Sequence, residues 1–231
     1  MSRPNRYAPG GMVFHVLNRG VGRRTLFEKE SDYLAFEKVL AETLHTRPMR
    51  ICAYCLMPNH WHFVLWPEKD GDLPAFMQQL TNTHAKRWKH YRQETGDGHL
   101  YQGRYKSFPV QTEDYFYQVV RYVERNALRA NLAKRAESWP WSSLGRRLRF
   151  RANMLMIQTF NFSDLCAPWP LPRPDNWLDL VNQPQSEAEL EALRRCANRG
   201  CPMGNPDWVE NTAKQLGIES TQRARGRPKN I

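Results

Sequence analysis

The residues best suited to chemistry sit in Met57-Pro58-Asn59-His60-Trp61-His62-Phe63-Val64-Leu65-Trp66, where Pro58-Asn59 marks a turn and the rest reads as a buried strand. Side chains alternate along a strand, so His60, His62, Val64 and Trp66 share one face. Trp61, Phe63 and Leu65 take the other, which is wholly apolar and should point into a core. Two imidazoles two residues apart on a rigid strand can converge on one metal ion at the mouth of a turn. They can equally be a pair of surface histidines at a strand end, and spacing alone leaves both readings open. On a first strand over residues 12–18, His15 reads as a packed or hydrogen-bonded histidine before a site residue. Cys52 and Cys55 precede the histidines and give the composition of a zinc site, but alternation puts them on opposite faces, as small core residues.

The elements that must hold these groups follow from periodicity and punctuation. After the first strand comes a basic turn, Arg19-Gly20-Val21-Gly22-Arg23-Arg24. Ser31 is a fair N-cap for a helix over 32–46, with Phe36, Val39, Leu40 and Leu44 at helical spacing. Arg50 to Met57 pairs with the histidine strand as a hairpin. Asp72 caps a second helix whose stripe is Leu73, Phe76, Met77, Leu80, His84, Trp88 and Tyr91. Residues 105–111 form a short strand that tolerates Pro109 only at an edge. A third helix runs from Thr112 to about Ala130, with Tyr122 and Asn126 together on one flank and Tyr115 earlier on it. Trp139-Pro140-Trp141 reads as an aromatic clamp closing the domain.

The order strand, helix, strand, strand, helix, strand, helix implies an α+β fold: a ferredoxin-like antiparallel sheet with helices on one face, plus a small helical C-terminal extension. Three segments are expected: a domain over 1–150, a Pro/Trp-rich connection over 151–185, and a helical extension with a basic tail over 186–231. In the extension, Ser186 caps a helix to Arg199, and Asn205 or Asp207 starts another ending near Gly217.

The formal net charge is +11, and with 12% aromatic residues it points to a polyanionic partner, nucleic acid first. Five cysteines without framework spacing, and no signal peptide, imply a reducing cytoplasm without disulfides. No segment has the length to span a bilayer.

Residues 54–66, the run Gly98-His-Leu-Tyr-Gln-Gly-Arg-Tyr-Lys-Ser107 and Tyr122-Val-Glu-Arg-Asn126 together resemble the REP-associated tyrosine transposases. These belong to the one-tyrosine HUH class of single-strand endonucleases. Trp139-Pro-Trp-Ser-Ser143 and Arg225-Gly-Arg-Pro-Lys229 are similar to that family too, so the resemblance covers nearly the whole chain outside 151–185. It implies His60 and His62 as catalytic metal ligands, Tyr122 as nucleophile and Asn126 as third metal ligand. One departure is Ala127, where relatives often carry proline; the helix can then run on by a turn.

The resemblance implies a metal-dependent endonuclease and strand transferase acting on single-stranded DNA at palindromic hairpin repeats, through a 5′-phosphotyrosine. The ion would be Mg²⁺ or Mn²⁺, manganese accepting imidazole more readily. The candidate DNA-contacting cations are Arg19, Arg23, Arg24, Lys86, Arg87, Arg104 and Lys106, with Arg223, Arg225, Arg227 and Lys229 in the tail. Tyr101 and Tyr105 are expected to stack on bases. The chain is expected in the cytoplasm with the nucleoid, as a monomer or homodimer. The alternatives are a catalytically silent regulator binding the same hairpins, and an RNA-binding protein of ferredoxin-like fold.

Overall fold

A computed structural model describes residues 7–152 and 165–223. Strands β1 (Val13–Arg19), β2 (Arg50–Met57), β3 (His60–Trp66) and β4 (Lys106–Val110) form one antiparallel sheet in the order β2-β3-β1-β4. With α1 (Glu30–Thr46) and α2 (Asp72–Tyr91) as crossovers, this is the expected ferredoxin-like arrangement. The hairpin register pairs Met57 with His60, so Pro58-Asn59 makes the tight turn.

Strand alternation sorts the side chains onto two cores. Phe14, Val16, Trp61, Phe63 and Leu65 pack with Phe36, Leu40, Phe76 and Leu80 of α1 and α2. The opposite face, which carries Val13, Val64, Phe108 and Val110, is covered as well. There α3 (Asp114–Glu124) and the short α4 (Asn126–Arg129) lie against the sheet. The Trp177–Asn182 helix (α6), which follows α5 (Ser143–Ala152), packs over α3. A register break between Ile51 and Ala53 puts Cys52 and Cys55 in this same core, where simple alternation separates them. Among the described residues, no three His, Cys, Asp or Glu side chains cluster to hold a metal.

Local chemistry shifts several boundaries. Asp32, rather than Ser31, closes the start of α1: its carboxylate accepts from the backbone N–H of Glu28 (2.9 Å) and Lys29 (3.3 Å). Gly71 (φ +83°) precedes α2 in the left-handed region, and Asp72 is the first helical residue. Ser186 caps α7 (Glu187–Arg199) through a capping box with Glu189, as its spacing predicts. Asn205 caps α8 (Pro206–Leu216).

Both sheet edges are covered, which protects them from pairing with other chains. Along β2, the Leu56 N–H donates to Trp141 O (2.8 Å) and the Trp139 indole to Leu56 O (2.9 Å), so the aromatic clamp is real. Trp141 stacks on Tyr33 at 4.6 Å. Along β4, Met203 donates to Pro109 O (2.9 Å) and accepts from Gln111 N (2.8 Å), fastening the C-terminal helices to the sheet. Buried Glu124 ties α3 to the later chain, accepting from Ser143 Oγ and the Trp177 indole, both at 2.8 Å. No described helix is long and apolar enough to cross a membrane.

Candidate active site

The β3 alternation delivers His60 and His62 to the face that α3 and α4 cover, with ring centroids 5.1 Å apart. The Tyr122 ring lies 5.8 Å from His62 and edge-on to it. Asn126 follows one helical turn later, so the four residues singled out as catalytic or metal-binding share one face of the sheet. They are not at an open edge: His62 is 4% exposed, Tyr122 7% and Asn126 2%, while His60 is half-buried. Substrate would have to enter over the His60 end.

The imidazoles are held in the form a metal requires. His60 Nδ1 lies 2.6 Å from Asn59 Oδ1, an acceptor, so the proton sits on Nδ1 and the Nε2 lone pair stays free. His62 Nδ1 lies 2.9 Å from His15 Nε2. His15, fully buried in β1, thus contacts the site directly, and its own Nδ1 has no partner among the described residues. Burial pushes His60 down to about 4, helped by the cations of Arg19 and Arg129. It pushes His15 down to about 3 and His62 well below the usual histidine value. All three rings are therefore neutral at pH 7, the ligating state.

Asn126 Oδ1 accepts a hydrogen bond from Arg129 Nη2 at 2.9 Å, and Asn126 Nδ2 is buried without a partner among the described residues. A carbonyl oxygen has two lone pairs, so Oδ1 retains one for a cation. Two imidazole nitrogens and one amide oxygen suit a borderline-hard divalent ion.

The model of the family described as "Transposase IS200 like" matches residues 10–126, just over half the chain and all of the sheet. The chain belongs to the IS200-like transposase family. Among solved structures, the transposase is similar to a REP-associated tyrosine transposase bound to a REP hairpin. The match has a TM-score of 0.52 and 22% identity, covers 71% of this chain and 96% of that one, and shows a shared fold. A Deinococcus radiodurans protein assigned as a transposase aligns over 54% of this chain and 96% of its own, at 18% identity and a TM-score of 0.38. No functionally curated protein matches the sequence.

The basic residues singled out from sequence fare unequally in this transposase. Arg19 is exposed and pairs across the strands with His60, at the mouth of the site. Val21 N donates to Leu100 O and Gln102 N to Arg19 O, both at 2.9 Å, which brings the 19–24 turn beside the loop bearing exposed Arg104. Arg24 is engaged by Glu94 (2.5 Å) and Arg87 by Glu42 (2.7 Å). Arg23, Lys86 and Lys106 are exposed. Arg223 is exposed at the end of the described chain, and Arg225, Arg227 and Lys229 lie outside the described residues.

Tyr101 does not present its ring for stacking. It is buried, and its hydroxyl joins His84 Nδ1 (2.6 Å) and the Trp61 indole (3.2 Å) in the core. Tyr105 is buried as well. Both line the edge of a cleft of about 830 Å³ with Asn18, Thr81, Asn82 and Arg104. A second cleft of about 520 Å³ runs along β4 beside Arg199 and Gly217. Neither is lined by His60, His62 or Tyr122.

Arg129 also adjoins Tyr122 and Asn126, although the sequence does not single it out. Its guanidinium carbon sits 4.1 Å from the Tyr122 ring centroid. Positions 122, 126 and 129 repeat at i, i+4 and i+7, a helical stripe that was legible once Tyr122 and Asn126 were suspected.

Proposed function

We propose that this IS200-like transposase is a divalent-metal-dependent endonuclease and strand transferase for single-stranded DNA at palindromic hairpin repeats. The observation that carries the reading is the Tyr122 ring 5.8 Å from His62, on the face that gathers His60, His62 and Asn126. His60 Nε2, His62 and Asn126 Oδ1 would hold Mg²⁺ or Mn²⁺. When bound, the ion supplies Lewis-acid polarisation of the scissile phosphate and neutralises its developing charge.

The remaining work falls to the chain itself. Tyr122 Oη attacks phosphorus as the P–O3′ bond breaks, giving a 5′-phosphotyrosine and a 3′-hydroxyl. The phenol proton leaves to solvent, and the departing 3′ oxygen takes one up. The reverse reaction with another 3′-hydroxyl joins new ends, because the ester conserves the phosphodiester's energy. Asn59 Oδ1 accepts the His60 Nδ1 proton and so fixes the tautomer that leaves Nε2 free. Arg19 and Arg104, beside the open end, suit the DNA backbone. The hairpin substrate rests on the resembling sequence blocks, and the structural relative that holds a REP hairpin has the same fold.

The near-complete burial of Tyr122 favours one other reading, a silent hairpin-binding protein. A denaturing gel separates the two. Protein, divalent ion and end-labelled hairpin oligonucleotide should give a covalent adduct that Tyr122→Phe abolishes. Hairpin binding without any adduct would establish the silent reading instead.

A further inference from the structure

Three arginines lie on the Tyr122-bearing segment, and two are spent on the later chain. Arg121 Nη2 donates to the Gln183 and Pro184 carbonyls, each at 2.9 Å. Arg125 Nη1 donates to the Val181 (3.1 Å) and Asn182 (2.5 Å) carbonyls. Arg129 turns the other way. It lies over the Tyr122 ring at 4.1 Å, donates from Nη2 to Asn126 Oδ1 at 2.9 Å, and leaves Nη1 buried with no partner among the described residues. No carboxylate pairs with it among the described residues.

On this half-buried side chain, a guanidinium nitrogen buried with no partner among the described residues and no counter-ion beside it is costly, and its natural complement is an oxyanion. A phosphate placed for attack by Tyr122 would be such an anion, and a guanidinium can grip two groups at once.

We propose that Arg129 is a catalytic residue: Nη1 contacts a non-bridging oxygen of the scissile phosphate while Nη2 keeps its hold on Asn126. The inference rests on the phosphotyrosine reading above. As the Tyr122 Oη–P bond forms and the P–O3′ bond breaks, charge builds on the non-bridging oxygens. The electron pair leaves with the 3′ oxygen, which takes up a proton, and Arg129 stays protonated throughout. The same guanidinium sets the Tyr122 ring and the Asn126 amide, so nucleophile, metal ligand and phosphate share one anchor.

The test compares two hairpin oligonucleotides, one with the natural scissile phosphodiester and one with a neutral methylphosphonate there. Wild type, Arg129→Gln and Arg129→Lys are followed by the rate of covalent adduct formation. On the phosphodiester, Arg129→Gln should fall by about 10²–10³-fold, the usual cost of losing one donor to a developing oxyanion. Arg129→Lys should fall by about tenfold, since it keeps the charge and loses the fork. On the methylphosphonate, which is uncharged before attack and has one non-bridging oxygen fewer, the loss from Arg129→Gln should shrink to about tenfold or less. Because each variant is compared with itself on two substrates, partial misfolding cancels. An equal loss on both substrates would reduce Arg129 to a packing role and overturn the proposal, as would an unimpaired Arg129→Gln. If wild type itself formed no adduct with either oligonucleotide, the nuclease reading would fall first and take this inference with it.

Discussion

On the α1/α2 face, His84, Tyr101 and Trp61 close a chain of hydrogen bonds, and Tyr54 and Arg146 satisfy the buried Glu37 carboxylate. On the α3/α4 face, His15 Nδ1, Asn126 Nδ2 and Arg129 Nη1 are buried without partners among the described residues. The other such atoms are on Arg121 of α3, on Arg147, which pairs with Glu124 of α3, and on Gln185, which donates to Gln118 O of α3. One sheet thus separates two kinds of interior. Buried polar groups are tolerated when saturated, and leaving them unsaturated costs stability. Under the proposed function, the unsatisfied atoms of His15, Asn126 and Arg129 lie where a ligand would complete what the protein leaves open.

The largest effects should fall on the α3/α4 face as lost chemistry. Tyr122→Phe keeps the ring under Arg129 and removes the attacking oxygen, so adduct should vanish while the melting temperature moves by only a few degrees. If Tyr115→Phe instead abolishes the adduct and Tyr122→Phe does not, the nucleophile is misplaced. His62→Ala should also abolish metal-dependent adduct. Because His62 is buried, it should cost about 1–3 kcal/mol as well, from the unpaired His15. Unchanged metal affinity in His62→Ala, measured by titration calorimetry, would remove it from the ligand set.

On the saturated face, the same scale of damage should appear as lost stability. Phe63, fully buried on β3 against Phe36 of α1, should cost about 3–5 kcal/mol when replaced by alanine. Activity per folded molecule should be unchanged. Glu37→Ala takes away the carboxylate partner of Arg146 and should cost about 3–5 kcal/mol. Burial raises the Glu37 carboxyl despite Arg146, which shows how much the desolvated site depends on that partner. Urea unfolding at pH 7 checks both variants, and a large activity loss without destabilisation would erase the contrast between the faces.

The pH dependence sharpens the comparison further. Burial, aided by Arg92, lowers His84 from 6.5 to about 3. The unfolded chain therefore takes up a proton below about 6.5 that folded His84 refuses, so its contribution is complete above that pH and drains away as pH falls toward 3. Between pH 7 and 5 each such imidazole should cost metal-free protein about 2 kcal/mol. His84→Leu should remove about that much of the loss, and an unchanged pH 7 to 5 difference would show that His84 is not held neutral.

The smallest effect should come from the C-terminal tail. Deleting 224–231 removes Arg225, Arg227 and Lys229, and should flatten log affinity against log salt by about 2 units on single strand. Cleavage at saturating enzyme should survive. Identical slopes would leave the tail without a grip on DNA.

The sheet, its crossovers and the C-terminal caps were legible because they rest on short-range rules. The alternation through His60–Trp66 sorts its side chains onto two faces as read, and Ser186 and Asn205 cap as their spacing predicts. The Asp32 cap escaped because Ser31 satisfied the same local rule one residue earlier. Cys52 and Cys55 escaped because a single bulge inverts the alternation. Tyr101 looked like a stacking ring because composition carries no information about what closes over a side chain.

By itself, the sequence determined which groups could do chemistry and which strand and helix carried them, since periodicity is a property of neighbours along the chain. Only the tertiary structure decided that His15 meets His62 across 47 residues, that both sheet faces are covered, and that Arg129 faces the histidines while Arg121 and Arg125 do not. Those outcomes depend on long-range packing, in which the same helical stripe can bind a carbonyl, a ring or a phosphate according to what the fold places opposite it.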